Sequence, residues 1–227
     1  MKFSSTIYAA VSGSIGGITY AHNQGGMYAR ARAVPTNPNT AQQQVMRNAM
    51  GNLTTAWLTV LTAAQRTGWS TFAANVPVLD ALGQSRTIPP LSWYVKANSL
   101  RLQVGLTRID APPVIFELAT MTLPVPTIVA AGTTVSVAFT NTDGWAGEVG
   151  GALLVYASRP QNATKNFFAG PYRFAGRVNG AGTPPTSPAV ITLPFTIGPT
   201  GSRMMFKFIA LRADGRPSAV FRVVATA

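Results

Sequence analysis

The chain holds one histidine, no cysteine and six carboxylates, so the residues able to do covalent or acid–base chemistry are few. His22 would have to be the base of any Ser-His-Asp triad, and a histidine metal site would need it beside carboxylates. It precedes Asn23-Gln24-Gly25-Gly26 with no acid in the surrounding segment, and it reads as a surface residue flanking a turn. Asp143 and Glu148 share the segment DGWAGE and could offer oxygens to calcium, but the spacing is not that of an EF-hand. A solvated loop is the simpler reading. Gly13, Gly16 and Gly17 in GSIGG superficially match a phosphate cradle, yet no Lys-Ser/Thr follows and no helix opens there. Asn52-Leu53-Thr54 and Asn162-Ala163-Thr164 match the glycosylation triplet without a secretory signal ahead of them. The expectation is a non-enzymatic protein with no catalytic residue, no metal ligand and no cofactor.

Residues suited to binding are easier to find. Tyr20, Tyr28, Arg30 and Arg32 fall in one short stretch, where rings could stack on bases and guanidinium groups neutralise phosphates. The same arginines would equally pair with acidic groups on a neighbouring subunit. With Trp57 and Trp69 they form the candidate set for contacts with other chains.

Eighteen basic against six acidic residues leave a net charge of +12, which favours polyanionic partners without specifying one. The basic residues are spread evenly, and the densest spot is Arg30-Ala31-Arg32. Only 11% of residues are charged and 47% are hydrophobic, whereas a free soluble protein has about a quarter charged. The surface must therefore be covered by Thr, Ser, Asn, Gln and Gly, or be buried against partners. Without cysteine, disulfides and thiolate zinc sites are excluded. No apolar run is long enough to span a membrane, and Ser and Thr interrupt the N-terminal MKFSSTIYAAVSGS too often for a signal peptide. It reads as mature protein.

The elements that must position these residues divide in three. Residues 1–39 read as an extended arm over 1–13 and a two-stranded ribbon. One strand runs from Ile15 to Tyr20 and the other from Met27 to Val34, with Tyr28, Arg30 and Arg32 alternating against Met27, Ala29, Ala31 and Ala33. Pro35-Thr36-Asn37-Pro38 is a stiff connector. Residues 40–113 read as a helical unit. Met46, Ala49, Met50, Leu53, Trp57, Val60, Leu61 and Ala64 recur at three- and four-residue spacing on one helical face, capped by Asn39 or Thr40. A second run ends at Val76 before Pro77, so that Trp57 and Trp69 close a tight helical pair. A third helix follows, with Ser92 as its cap and Gly105 just past its end.

Residues 114–227 change character, with β-branched and aromatic runs separated by Gly, Pro and Asn as in a sandwich. Seven strands are expected, at 122–130, 133–140, 152–158, 166–178 (bent at Gly170-Pro171), 189–196, 203–212 and 218–226. In the sixth, Met205, Lys207, Ile209 and Leu211 alternate against Met204, Phe206, Phe208 and Ala210. The fold class is thus α+β and mainly β: an N-terminal arm and β-ribbon, a small helical unit, and a seven-stranded immunoglobulin-like β-sandwich.

The segment MMFKFIALRADGRPSAVFRVVAT resembles the final hairpin of fibronectin type III domains, in its aromatic-rich strand, Gly-containing turn, Ser and last strand. The tryptophan of that family's early strands is missing, since Trp145 precedes Ala152 in a loop, and an immunoglobulin-like sandwich of other topology fits as well. The string SGSIGGITYAHNQGGMYARARAVPTNPNTAQQQVMRNAMGNLTTAW, with AQRTGW and WYVKANSLR, is similar to structural proteins of tailed bacteriophages. That resemblance implies a virion component with no catalytic residues. The expected function is a capsid decoration or cement protein on the virion surface, made in the bacterial host cytoplasm. Its expected partners are the major capsid protein and further copies of itself, a trimer first, with weak nucleic-acid contact and no membrane. The arm and helices would fasten it and the sandwich would be displayed. A basic nucleic-acid-binding protein, or a tail module binding a host glycan, are the alternatives.

Overall fold

The computed structural model describes residues 11–23, 26–34, 36–79 and 84–227, in two compact units, 1–41 and 42–227. Among the described residues there are three helices and twelve strands, and every sheet is antiparallel, so the protein is α+β and mainly β. The expected arm falls largely on residues 1–10, outside the described residues, as do Gln24, Gly25 and Pro35.

The N-terminal unit is a three-stranded sheet, not a two-stranded ribbon. Strands β1 (Gly13–Ile15), β2 (Ile18–Asn23) and β3 (Gly26–Ala31) pair in that order. The strand expected from Ile15 to Tyr20 is instead a hairpin reversing at Gly16-Gly17, where Gly16 takes φ 57, a left-handed value that glycine adopts without a Cβ clash. Arg32 N–H donates to Gly17 O at 2.8 Å, just beyond the end of β3. None of the residues of 11–41 whose burial is described is buried.

In the second unit, α1 (Ala41–Thr59) starts directly after Thr40, and α2 (Ala63–Asn75) starts at a reciprocal cap. Gln65 N–H donates to Thr62 Oγ1 at 3.2 Å, and Thr62 N–H to Gln65 Oε1 at 2.8 Å, which satisfies two otherwise orphaned amides. Helix α3 (Pro90–Gln103) begins two residues ahead of the expected cap at Ser92, because proline's fixed φ suits the first helical position. Two-residue strands β4 (Val78–Leu79) and β5 (Ser85–Arg86) pair between α2 and α3.

The predicted helical pair is a three-helix cluster. Leu53, Ala56, Leu61, Trp69, Phe72, Trp93 and Tyr94 are buried together, while Met50, Val60 and Ala64 of the expected stripe are exposed. The Tyr94 ring stands between the two tryptophans, 5.5 Å from Trp57 and 5.6 Å from Trp69 between centroids.

All seven expected sandwich strands are present, trimmed at their ends: β6 (Val125–Ile128), β7 (Thr134–Ala138), β8 (Ala152–Ala157), β9 (Arg173–Asn179), β10 (Ala189–Thr192), β11 (Arg203–Leu211) and β12 (Phe221–Thr226). The largest trimming is in β9, where residues 166–172 are irregular: Gly170 takes φ 144 and Pro171 has no N–H for a ladder. The sheets have orders β10-β7-β6 and β12-β11-β8-β9. In a constant-type immunoglobulin domain the fourth strand joins the first, second and fifth. Here β9, the fourth, pairs with the third, β8, which enlarges the opposite sheet.

Between the sheets, Met204, Phe206, Phe208 and Ala210 meet Val135, Val137 and Ile191. The missing strand tryptophan is replaced from a loop: Trp145 is fully buried there, its ring 5.2 Å from Phe139. Its backbone is held so closely that a Cβ at Gly180 would lie 2.1 Å from Trp145 O. The outer face of the larger sheet is covered over half its length. Leu100, Val104 and Leu106 pack on Leu154, Ile209 and Leu211, which is why β8 is buried at every position. Contacts thus cross the expected boundary at residue 113. Arg101, 3% exposed, donates to Thr107 O at 2.9 Å, Gly150 O at 3.0 Å and Arg212 O at 3.3 Å.

Candidate functional site

The residues singled out in the sequence are not gathered into one site. Cross-strand register puts Tyr28 opposite Ala21 and Arg30 opposite Thr19, while Tyr20 is opposite Ala29. Directly opposed residues share a face and successive residues alternate, so Tyr20 lies on the other face from Tyr28 and Arg30. Of the two rings expected beside the cations, Tyr20 is divided from them by the sheet while Tyr28 keeps to the face of Arg30. Arg32 follows the strand and is exposed. Trp69 is fully buried and donates its indole N–H to Asp110 O at 3.0 Å, so it is withdrawn from the expected contact set; Trp57 is half-buried.

Both carboxylates weighed for chemistry have structural partners. His22 is exposed on β2 opposite Met27. Asp143 accepts from Thr122 N–H at 2.9 Å and Thr122 Oγ1 at 2.8 Å. Glu148 accepts from both arms of the Arg212 guanidinium and from Ala213 N–H, and Arg212 holds its carboxyl below the usual range. Among the described residues no three His, Cys, Asp or Glu side chains converge as metal ligands. No helix there is long and apolar enough to cross a membrane.

A different cluster, not anticipated from the sequence, lies on the uncovered half of the larger sheet's outer face. Register aligns Arg222 on β12, Lys207 on β11, Tyr156 on β8 and Phe174 on β9 in one row. Lys207 Nζ sits 4.1 Å from the Tyr156 ring centroid and 5.7 Å from that of Tyr172. Tyr156 meets Phe174 at 5.5 Å and Phe168 meets Tyr172 at 5.1 Å, both edge to face. Lys165 Nζ is 5.6 Å from the Phe168 centroid.

Two recesses flank Tyr172 in this row. One, of about 350 Å³, is bounded by Gln103, Tyr156, Arg173, Phe174 and Pro194. The other, of about 240 Å³, is bounded by Asn166, Phe167, Phe168, Met205 and Arg222 among others. No carboxylate lines either. Asp110, Glu117, Glu148 and Asp214 are engaged by Arg108, Arg212 and Arg216 instead. Desolvation first, and then the neighbouring Arg222, hold the Lys207 ammonium below the usual lysine range. Burial pushes the Tyr156 phenol up to about 12. A third recess, of about 460 Å³ between α2 and residues 87–90, has no charged lining residue.

The signal for this cluster was a lone Lys207 within the apolar run MMFKFIAL and an Arg222 within FRVV. Only the register shows that the two are opposed.

No protein-family model matches the chain, and no curated protein matches it. Among solved structures it is similar to the solution structure of the fibronectin type-III domain of human fibronectin type III domain containing protein 3. The identity is 13% and the TM-score 0.28, over 47% of this chain and 87% of that one. The sandwich assignment therefore rests on the strand order and register.

Proposed function

We propose that the protein is a non-enzymatic structural component of a bacteriophage virion: a capsid decoration protein whose N-terminal unit fastens it to other chains while the sandwich is displayed. One observation carries the fastening role. Residues 11–41 form a sheet without burying any residue whose exposure is described, and they leave Ile15 76% and Ile18 45% exposed. A sheet this small with no core is marginal in water, so its order must come from burial against something else. Register gathers Ile15, Ile18, Tyr20, Met27, Ala29 and Ala31 on one face, which is the face offered to that partner. The partners that fit are the major capsid protein and a second copy of this chain, a closed cyclic trimer being the first choice. The sequence resemblance over residues 13–105 supports the virion setting.

Deleting residues 2–34 tests this reading. The full chain is expected to sediment as an oligomer and to co-sediment with capsids, and the truncated chain to be monomeric and unbound with its melting unchanged. If the truncated chain assembles and binds particles as the full chain does, the N-terminal unit is not the fastener.

A further inference from the structure

We propose that the open half of the outer face of the β12-β11-β8-β9 sheet is a binding site for single-stranded nucleic acid. Lys165, Arg173, Lys207 and Arg222 meet the phosphodiester oxygens there, and the Tyr172 and Phe174 rings take bases. The site goes beyond the fastening role of the N-terminal unit and is independent of it.

Three observations lead to it. First, Lys207 and Arg222 are directly opposed on neighbouring strands, with no carboxylate lining the recesses beside them. Like charges so placed destabilise a sheet, and a bound anion relieves the repulsion. Second, the surface offers donors and ring faces but few acceptors. The Gln103 amide oxygen accepts from Tyr156 OH at 2.9 Å, and the Asn166 amide oxygen accepts from Arg203. A sugar hydroxyl both donates and accepts, and the two side-chain amide oxygens of the linings each already hold one donor, so a sugar's donors meet fewer open acceptors here than a phosphodiester's acceptors meet donors. A phosphodiester carries only acceptors, and its bases are planar, which matches what this surface presents. Third, the two recesses meet at Tyr172 along a row crossing four strands, about 14 Å at a strand spacing of about 4.8 Å. That is room for a short run of nucleotides. Phe167, 76% exposed at the end of the row, supplies a further ring.

The experiment measures fluorescence anisotropy of a labelled oligothymidylate on the full chain across a salt series. A same-length abasic oligomer and heparin serve as competitors. Binding is expected to weaken steeply with salt, and oligothymidylate to compete at least fivefold better than the abasic oligomer because each stacked base contributes. Lys207→Gln with Arg222→Gln is expected to weaken binding about tenfold or more and to flatten the log–log salt slope by about 1.4, the change for two lost phosphate contacts on a single strand. If that pair melts early, Lys165→Gln with Arg173→Gln, both exposed, takes its place with the same expectation. Arg30→Gln with Arg32→Gln in the N-terminal sheet is expected to leave binding unchanged. The proposal fails if no oligomer binds at low salt, or if the N-terminal pair abolishes binding while the sandwich pairs do not. It also fails if heparin and the abasic oligomer compete as well as oligothymidylate, which would make the face an acidic-glycan or general polyanion surface.

Discussion

In the N-terminal sheet no residue of 11–41 with described exposure is buried, while the sandwich encloses Trp145, Phe206 and Phe208 completely. Both regions are built from antiparallel hairpins with alternating side chains, so the difference is not one of local structure. It lies in how many sheets meet. Two sheets facing each other hide both inner faces, and α3 hides half of an outer one. A single three-stranded sheet hides neither face by itself. Local β pattern is therefore common to a region that buries a core between two sheets and to one whose described residues bury nothing, and only the second layer separates them.

Substitutions can break or sharpen that contrast. Trp145→Ala should cost about 3–5 kcal/mol, since it empties the centre of the core, and urea denaturation of the full chain would register it. Tyr28→Ala, in the sheet without a core, should change the same transition by less than about 0.5 kcal/mol. Comparable losses at both positions would mean that the two units unfold as one.

Arg101→Ala comes next, at about 2–4 kcal/mol. It strips the carbonyls of Thr107, Gly150 and Arg212 of a buried donor at the seam between α3 and the sandwich. Arg101→Lys should recover part of the loss, because an ammonium cannot span all three. A neutral Arg101→Ala would show that the helical cluster and the sandwich are only loosely coupled. Thr62→Ala, which removes one half of the reciprocal cap on α2, should cost about 1 kcal/mol by the same measurement.

The smallest effect at neutral pH, where phenols are uncharged in folded and unfolded chains alike, concerns Tyr156 and Tyr94. Burial raises both phenols, Tyr156 to about 12. An unfolded tyrosine releases its proton near pH 10 while the folded one retains it, so the folded state binds more protons and stability falls as pH rises above about 10. Tyr156→Phe should remove its share of that fall. Ultraviolet phenolate absorbance should show one group ionising near 12. If all tyrosines titrate together near 10, the outer face is more open to water than the packing around Tyr156 implies.

What the sequence determined by itself are the features read locally. Seven sandwich strands, the helical run ending before Pro77 and the glycine after α3 all follow from alternation, spacing and turn residues, which act within a few positions of the chain. The Thr62–Gln65 cap is equally local, with Thr-Ala-Ala-Gln as its signature. Other features depended on which distant segments meet. Trp145 became core although it lies outside any strand, because Gly151 and Gly180 let its backbone close onto the sandwich. Trp69 went inward because Tyr94, in a different helix, came to lie beside it. Tyr20 parted from Arg30 because β2 and β3 pair with Tyr20 against Ala29 and Arg30 against Thr19, and successive residues of a strand point to opposite faces. Lys207 and Arg222 became neighbours only when β11 paired with β12 and α3 left that half of the sheet uncovered. Pairing and layering are contacts between residues far apart in the chain, and no local pattern encodes which of the available surfaces they will cover.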